Sequence, residues 1–599
     1  MAGSSCRLGV DYFPEHWPEE RWPRDVALMR EAGLQVVRIA EFTWSKTQPG
    51  PGRWQWDWLD RAVEVIAEAG LQVVLCTPTA CPPPWMTQVD PSILPVVDRS
   101  GQRVPLLPGG RRHYSPHHAG YRQAAAEIAG RLAERYGKHE AVIAYQIDNE
   151  ILGGVDDHGP LAVAAFQQWL AERHGDVATL NERLGTIFWG QQWSAFAEIP
   201  TPLGRRMHPG LELEFRRFST AAWVAFCRNQ AEAMRPHMGP GQLLTTNCYL
   251  PYWNMLFDWA ALMQEGGLDV FAFDNYCRSE AEGAFYNDLA RSLQGRYWIL
   301  EQACGATGGQ HLWPDRADRI ALDTGMAQRK GAELITYFRW RQGLFGKEQD
   351  HGAVLDHHGE PGPIYAELQR VAATTAAARP ASPRPRLGIS FRWEDHWYAE
   401  RTTPPIDYET WQRASLAQAA ATMGEDVRYC FRPEDCAQVD LLLLPFLQAH
   451  DPDWEQAILD ALAAGTTVCA MPLFFAKDRW GSYRTDYLPP AIAAAFGIAI
   501  LRRIPLRQRW HDDDVIVDCS IAGGSGRALH RVDEVDCREA EVSARFSDAP
   551  IPGAPLLTER RHADGGRALF CATYPDAAGC LALLQSIAGT DEGEMIVVR

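Results

Sequence analysis

The sequence of 599 residues has no clustered cysteines and no basic segment. Its 14 cysteines are scattered without any CxxC pair, which argues against a disulfide framework and favours a reducing compartment. The net charge is −18 and no run rich in lysine and arginine occurs, so no nucleic acid and no anionic membrane surface is expected as a partner. The negative field suits a neutral substrate better than an anionic one.

Long apolar segments and nucleotide motifs are missing as well. No stretch approaches the about 20 residues that span a bilayer, and the N-terminal MAGSSCRLGVDYF lacks the apolar region of a secretory signal. We therefore expect a cytoplasmic protein. Neither GxGxxG, a Walker-type loop nor GxSxG occurs, so we expect no nucleotide site, no serine nucleophile elbow and no cofactor.

The sequence is rich in tryptophan, with 22 residues, and several lie in loop-like contexts, such as Trp17, Trp189 and Trp313. Flat aromatic faces near strand ends are suited to stacking on sugar rings. A large core would explain the same number, so composition alone leaves both interpretations open.

Residues 1–380 alternate apolar strands with amphipathic helices eight times, which predicts a catalytic (β/α)8 TIM barrel. A doubly wound open sheet is the alternative, but it seldom needs eight regular units. The expected strands cover residues 8–12, 35–40, 71–77, 141–147, 243–247, 268–274, 296–300 and 333–338.

Two smaller domains are expected after a proline-rich linker at Arg379–Arg386. Residues 386–525 alternate strands and helices and predict a doubly wound α/β domain of flavodoxin-like or amidotransferase-like type. Residues 526–599 lack helical periodicity and predict a small β-domain. Four aromatic residues of the α/β domain can cover either a subunit contact or a contact within the chain: Trp393, Trp397, Tyr398 and Trp411.

Polar residues follow the predicted barrel strands, and in a barrel those carboxyl ends form the active site. Glu150 follows the fourth strand and Glu301 the seventh, so both should project into one mouth. Two such carboxyls can flank a glycosidic bond, one as acid and one as nucleophile. Salt bridges to rim arginines are the alternative, and position alone does not decide. Further polar residues follow the first, second and eighth predicted strands: Glu15, His16, Glu41, Arg339, Glu348 and His351.

A metal site is the less favoured possibility. His113, His117 and His118 cluster in RRHYSPHH, but zinc needs three or four ligands and the HxH after the first strand of amidohydrolase barrels is missing. We expect these histidines to make ordinary hydrogen bonds.

Many spaced motifs along residues 8–375 resemble glycoside hydrolase family 42, the β-galactosidases. They are YFPEHWPEERW, VVRIAEFTWS, PTACPPPW, RRHYSP, QIDNE, NERLGTIFWGQ, FDNY, LEQ and RWRQGLFGKEQDHGAVL. The resemblance implies a retaining exo-β-galactosidase that removes terminal non-reducing β-D-galactosyl residues from short galactosides. Glu150 would be the acid/base and Glu301 the nucleophile.

The resemblance also implies galactosyl contacts and a homotrimer assembled through the domain at 386–525. Asn149 would bind the 2-OH, and Tyr276 would hydrogen-bond the nucleophile and lower its pKa. The full set of implied substrate-binding residues is Arg111, Asn149, Trp189, Tyr276, Trp313, Glu348 and His351.

Departures from the family pattern lead to two further expectations. Many members carry a cysteine-rich zinc site, but here Ser115 stands at the first position and ILGGVDDHGP after Glu150 has no cysteine, so we expect no metal. The loop EQACGATGGQHLW is longer than expected, which leaves the role of Trp313 open. Alternative functions are an α-L-arabinopyranosidase and a non-catalytic carbohydrate-binding protein; the two glutamates argue against the latter.

Overall fold

The computed structural model describes most of the chain, and no helix within its described part is long and apolar enough to cross a membrane. The described residues are 6–151, 156–203, 208–250, 257–277, 279–305, 317–374, 385–400, 408–506, 517–521, 524–547 and 551–588.

Parallel strands of the first 338 residues form a barrel, which confirms the predicted (β/α)8 fold. The strands of this part are β1 (Arg7–Asp11), β2 (Val36–Ile39), β3 (Gln72–Cys76), β4 (Val96–Arg99), β5 (Gln102–Pro105), β6 (Val142–Gln146), β7 (Leu243–Thr245), β8 (Asn247–Leu250), β9 (Phe271–Asn275), β10 (Tyr297–Ala303) and β11 (Ala332–Phe338). Strands β4 and β5 make a separate antiparallel hairpin.

The barrel strands follow the order β7-β6-β3-β2-β1-β11-β10-β9-β8. The two outer strands of this order, β7 and β8, are consecutive in the chain and separated only by Thr246. They are two pieces of the predicted fifth strand, so eight strands encircle the interior. Apolar runs suit these strands because helices cover their outer face and side chains fill the interior.

Helices alternate with the barrel strands as predicted. Gly33 and Gly70 follow α1 and α3 with φ of +81° and +77°, the left-handed conformation in which glycine ends a helix. The helices are α1 (Trp22–Glu31), α2 (Trp44–Thr47), α3 (Asp57–Glu68), α4 (Pro84–Val89), α5 (Ala119–Tyr136), α6 (Pro160–His174), α7 (Val177–Leu184), α8 (Pro209–Met234), α9 (Trp259–Glu265), α10 (Glu280–Gln294), α11 (Ala317–Lys330) and α12 (Pro363–Thr374).

The barrel interior changes from apolar to charged toward the carboxyl ends of the strands. Val36, Val74, Ala144 and Leu334, from four different strands, belong to one fully buried apolar cluster. Side chains alternate along a strand, so Arg38 lies on the same face of β2 as Val36 and points into the same interior. Its side chain is only 1% exposed, and a buried cation needs carboxylate partners.

A second α/β unit follows the barrel. Its strands are β12 (Leu387–Ser390), β13 (Val427–Cys430), β14 (Leu441–Leu444), β15 (Thr467–Ala470), β16 (Ile498–Pro505), β17 (Val517–Ile521), β18 (Gly524–Cys537), β19 (Glu541–Arg545), β20 (Pro555–Arg561), β21 (Arg567–Cys571) and β22 (Thr573–Pro575). Its helices are α13 (Trp393–Glu400), α14 (Tyr408–Trp411), α15 (Gln418–Thr422), α16 (Pro452–Ala463), α17 (Pro490–Phe496) and α18 (Ala577–Ala588).

The strands after residue 525 do not form the separate β-domain that we expected for 526–599. Strand β21 pairs in parallel with β15, and β20 and β19 extend the same sheet, whose order is β13-β12-β14-β15-β21-β20-β19. A second, antiparallel sheet contains β16, β18, β17 and β22. Local sequence pattern does not reveal these pairings because they join residues about 100 positions apart. The terminal EMIVVR and most of the 379–386 linker lie outside the described residues.

Helix α18 is a further difference from the prediction. Its sequence AAGCLALLQSIA is apolar on nearly every side, so it shows no amphipathic periodicity even though it is helical. Most of its large side chains are buried, including Leu583 and Ile587.

The aromatic residues that we considered for a subunit contact are buried within their own chain. Trp393 is 2% exposed and its ring lies 5.8 Å from that of Trp259 on α9 of the barrel unit. The indole of Trp411 donates to the carbonyl of Pro575 at 2.8 Å. Trp397 and Tyr398 are each 4% exposed. Contacts within the chain therefore account for all four residues.

Candidate active site

Two glutamates meet at the carboxyl end of the barrel. Glu150 follows β6, and Glu301 lies on β10. One carboxylate oxygen of each, together with one of Asp274, lies within 4.8 Å of the others. Glu150 is 2% exposed and Glu301 is 4% exposed, so both carboxyls are largely removed from water.

The position of Glu301 depends on an irregularity in its strand. The pairing of β10 with β9 shifts register between Ile299 and Glu301, and such bulges re-aim a side chain. Oε1 of Glu301 accepts hydrogen bonds from Arg38 at 3.2 Å and from Asn247 at 3.1 Å. Oε2 accepts from the hydroxyl of Tyr276 at 2.6 Å. Both oxygens of this carboxylate are therefore fixed.

Arg38 connects four barrel strands at the level of the two glutamates. Its guanidinium lies 2.6 Å from Glu41, 3.1 Å from Asp11 and 3.2 Å from Glu301. The same group donates to Gln146 at 2.6 Å and to Asn149 at 2.7 Å. We did not predict this residue as part of the site. An arginine inside the apolar strand VVRIA was the available signal, because a charge there has to find partners in the barrel interior.

Two further residues that we did not predict, Asn247 and Asp274, complete the network. Asn247, the first residue of β8, donates to Asn149, Asp274 and Glu301 at 3.0, 2.9 and 3.1 Å. Its Oδ1 accepts the backbone N–H of Glu150 at 2.9 Å. Asn247 therefore links the main chain of one glutamate to the carboxylate of the other.

The turn that carries Glu150 has an uncommon backbone. Asp148 and Glu150 have φ of +58° and +49°, in the left-handed region that side chains rarely adopt. Asp148 accepts hydrogen bonds from Thr79 at 2.7 Å and from Tyr114 at 3.0 Å, and its own N–H donates to Thr77 at 2.8 Å. These buried bonds hold the turn in its conformation, which directs Glu150 into the mouth.

The two glutamates have different electrostatic surroundings. Burial raises the pKa of Glu150, but Arg111 and Arg112 lower it by more, so the net pKa lies below the ordinary value. Burial raises the pKa of Glu301 to about 7; Arg38 and Tyr276 oppose this rise, and the charge of Glu150 adds to it. Glu150 is therefore the more acidic carboxyl of the pair in this structure.

The structure places most of the implied substrate-binding residues around this pair. Arg111 lies 3.0 Å from Oε2 of Glu150, and Asn149 donates to the same oxygen at 3.4 Å. The ring of His351 lies 6.1 Å from that of Tyr276. Glu348 is more peripheral, because its carboxylate is 41% exposed and 3.5 Å from Arg339.

Two predicted residues are not brought into this group. Trp189 is 83% exposed and its ring lies 4.8 Å from that of Phe188, and no contact with either glutamate is found among the described residues. Trp313 lies outside the described residues. The roles of both in sugar binding stay predictions.

The three loop histidines have separate partners. His113 approaches the carbonyl of Pro82 at 3.1 Å, and His118 pairs with Asp90 at 3.0 Å. The ring of His117 stacks on Phe218 at 4.9 Å.

An eight-stranded parallel barrel with two facing carboxyl groups at its carboxyl end defines the class of (β/α)8-barrel glycoside hydrolases. The comparison with known families then identifies the particular one. The chain belongs to glycoside hydrolase family 42: the family model described as beta-galactosidase matches residues 11–378. A second model, described as the beta-galactosidase trimerisation domain, matches residues 386–592.

Individual relatives agree with this family. A beta-galactosidase from Thermus thermophilus is 40% identical over 422 residues, which is 66% of this chain and 64% of that protein. The matched region thus spans less than two thirds of this relative. The solved structure of a polyextremophilic beta-galactosidase from the haloarchaeon Halorubrum lacusprofundi is 29% identical, with a TM-score of 0.89 over 98% of this chain and 90% of that one. The crystal structure of a beta-galactosidase from the psychrophilic Marinomonas ef1 is 28% identical in sequence, with a TM-score of 0.86 over 97% of this chain and 91% of that one.

Ser115 takes part in a buried hydrogen-bonded cluster where, by the resemblance, many family members have cysteine. Its hydroxyl donates to Oδ2 of Asp157 at 2.5 Å. Oδ1 of Asp157 accepts the backbone N–H groups of Val96 at 2.9 Å and Gly159 at 2.8 Å. One carboxylate thus joins the β4 hairpin to the start of α6.

We predict that a strong chelator leaves the melting temperature unchanged, because the carboxylate of Asp157 already joins the β4 hairpin to the start of α6. Asp157→Ala should lower the melting temperature, since three donors lose their acceptor at a cost of about 1–3 kcal/mol each when buried. Differential scanning calorimetry with and without EDTA tests both statements. The exposed Asp453→Ala is the matched control and should melt like the wild type. Stoichiometric zinc, with a lower melting temperature after chelation, would contradict the prediction.

Proposed function

We propose that the protein is a retaining exo-β-galactosidase that hydrolyses terminal β-D-galactosyl residues of short galactosides. The observation that carries this proposal is the pair Glu150 and Glu301, with one carboxylate oxygen of each lying within 4.8 Å of the other. In retaining enzymes the two carboxyl groups are about 5–5.5 Å apart, whereas inverting enzymes leave about 6.5–9.5 Å for a water molecule. The short separation supports direct attack by one carboxylate.

The reaction takes place in two displacements. In the first, the Glu301 carboxylate attacks the anomeric carbon while Glu150 gives its proton to the departing glycosidic oxygen, and the C–O bond breaks. In the second, Glu150 removes a proton from water, whose oxygen attacks the anomeric carbon and releases Glu301. Each glutamate returns to its starting state, and the configuration is inverted twice.

The surroundings of Glu301 support its role as nucleophile. Arg38, Asn247 and Tyr276 all donate to its oxygens, so the ionised form has three partners. Because the pKa of Glu301 is about 7 and that of Glu150 lies below its ordinary value, the pair holds a single proton between these two pKa values. The productive form is the one in which this proton is on Glu150 and Glu301 is ionised.

The other site residues suit recognition of a galactosyl unit. The Oδ1 atom of Asn149 is already held by Arg38, Gln146 and Asn247. One N–H of its amide donates to Glu150, which leaves the other to bind the 2-OH. Arg111 and Glu348 are partly exposed, whereas His351 is buried beside Tyr276. All three offer donors or acceptors to further hydroxyls. An α-L-arabinopyranoside, which lacks only the C5 hydroxymethyl group, is the alternative glycone.

Assembly and location are further parts of the proposal. The match to a trimerisation domain over residues 386–592 supports a homotrimer. A reducing, cytoplasmic location agrees with the free thiols of the described cysteines, most of which are buried. No nucleic acid, membrane or cofactor has a part in the proposed reaction.

Glu301→Ala is expected to remove nearly all turnover of nitrophenyl β-galactoside, because the carboxylate that forms the covalent intermediate is missing. Azide should restore turnover and give α-galactosyl azide. The small anion fits the space left by the removed carboxylate and attacks the anomeric carbon once, which inverts its configuration. NMR of the product checks its configuration. Glu150→Ala with azide is the control and should give β-galactosyl azide. Substantial turnover by Glu301→Ala without azide would refute the assignment, and a glycoside panel that shows no turnover by the wild type would favour a binding protein.

Glu150→Ala should reduce kcat/KM for substrates with poor leaving groups about 10²–10⁴-fold, and much less for activated aryl galactosides. The proton matters most when the departing oxygen is basic. A series of aryl galactosides with leaving groups of graded acidity measures this dependence. Equal losses along the series would remove Glu150 from the acid role.

We expect the full-length protein to have three times the mass of the chain at micromolar concentration, because residues 386–592 match a trimerisation domain. Multi-angle light scattering measures this mass directly. A fully active monomer would contradict the proposed assembly.

A further inference from the structure

We propose that Arg112 positions Glu150 for the reaction, by holding its Oε2 oxygen and its backbone carbonyl so that Oε1 faces the glycosidic oxygen. This inference rests on the proposed function, in which Glu150 is the acid/base. None of the implied galactosyl contacts includes Arg112, which lies next to one of them in the sequence.

The contacts of Arg112 reach both the side chain and the main chain of Glu150. Nη2 contacts Oε2 of Glu150, and Nε donates to the backbone carbonyl of the same residue at 3.2 Å. A planar guanidinium can make both bonds at once, whereas the ammonium of a lysine cannot reproduce this fork. Within the described part of the chain, no hydrogen bond to Oε1 of Glu150 is found, so this oxygen is the one left for the substrate.

The backbone of Arg112 is itself held in an uncommon conformation. Its φ is +63°, in the left-handed region, and its N–H donates to the carbonyl of Ala80 at 2.6 Å. Such a conformation persists only where the surroundings require it. Arg112 and Glu150 thus both have left-handed backbones and face each other, which indicates a contact that is built into both loops.

Arg111 differs from Arg112 in each of these respects. It makes a single contact with Oε2 of Glu150 at 3.0 Å, and its side chain is 38% exposed against 14% for Arg112. Its guanidinium also lies over the ring of Phe42 at 5.6 Å, on the open side of the mouth. Arg111 can therefore turn to a sugar hydroxyl, while Arg112 remains on Glu150.

This division fits the proton movements of the reaction. When Arg111 binds the sugar, Glu150 loses one cation and takes up the proton of the pair more readily. As the glycosidic bond breaks, the proton on Oε1 passes to the leaving oxygen, and the new carboxylate stays beside Arg112. In the second displacement the same carboxylate accepts a proton from water, and its position is unchanged.

Several other groups act on the charge of Glu150, so the effect of Arg112 has to be separated from theirs. Arg38 and Arg111 favour the ionised form, whereas the negative charges of Asp274 and Glu301 oppose it. The charged or titratable groups that interact with Glu150 are Arg38, Arg111, Arg112, Tyr249, Asp274, Tyr276 and Glu301. A substitution of Arg112 alone changes one member of this set.

The direction of the pH effect follows from the titration of the pair. The lower step belongs mainly to Glu150, whose pKa is below its ordinary value, and the upper step to Glu301, with a pKa of about 7. The acid limb of kcat/KM reports the lower step in the free enzyme. Loss of the Arg112 cation raises the pKa of Glu150 and moves the acid limb up by about one pH unit. The alkaline limb should move much less.

The experiment compares Arg112→Gln and Arg112→Lys with Arg341→Gln. Arg341 is the matched control because it is an arginine at the same end of the barrel that lies over Trp17 at 3.8 Å and bonds the carbonyl of His357. The measurements are kcat/KM from pH 3 to pH 9 and the series of graded leaving groups, with circular dichroism over the same pH range to confirm folding.

We expect Arg112→Gln to shift the acid limb upward and to lose about tenfold more kcat/KM with a poor leaving group than with an activated one. Arg112→Lys keeps the charge and should leave the limb near the wild-type position, but it should show the same leaving-group loss because the fork is gone. Arg341→Gln should match the wild type. An unmoved acid limb in Arg112→Gln, or a uniform loss along the series, overturns the inference.

Arg112→Lys provides the test if Arg112→Gln does not fold: an unchanged leaving-group dependence in that variant also overturns the inference. Failure of the proposed function is distinguishable, since it would appear as a missing leaving-group dependence in Glu150→Ala. If Glu150→Ala behaves as an acid/base variant and the Arg112 variants do not respond, only the positioning role is wrong.

Discussion

The site depends on one buried cation, the guanidinium of Arg38. A charge in a protein interior is stable only when it is paired and hydrogen-bonded, and Arg38 has three carboxylates and two amides around it. These partners lie on β1, β6 and β10 and in the turns after β2 and β6. The same bonds that neutralise the charge therefore also set the relative positions of the Glu301 carboxylate and the Asn149 amide. Removal of the arginine would leave several buried carboxylates without a counter-charge.

Glu150 and Glu301 show how one residue type acquires two chemical roles in one site. Glu301 accepts hydrogen bonds from Arg38, Asn247 and Tyr276, which lie on or directly after the barrel strands β2, β8 and β9. Glu150 is contacted by Arg111 and Arg112, from the long loop after β3. A fixed inner carboxylate suits covalent attack, and an outer carboxyl with exchangeable partners suits repeated proton transfer.

Much of the barrel and of the carboxyl pair was predictable from sequence. Apolar strands of three to seven residues are local signals, as are Gly33 and Gly70 after helices α1 and α3. Another local signal is that Glu150 closely follows strand β6. The contributions of Arg38, Asn247 and Asp274 were not predictable from sequence, because they depend on which strands are neighbours and on the register of those strands. Trp189 shows the opposite case, since its motif resembles the family pattern while its side chain is exposed and away from the glutamates in the described structure.

The sequence by itself determined the order of the barrel elements and the residue types at the strand ends, because hydrophobic periodicity and helix stops act within a few residues. Only the tertiary structure decided that Arg112 and Glu150 face each other and that a bulge in β10 turns Glu301 toward Arg38. It also decided that β21 joins β15 rather than a separate domain. These features come from pairings between distant segments, whose geometry is set by the packing of the whole chain.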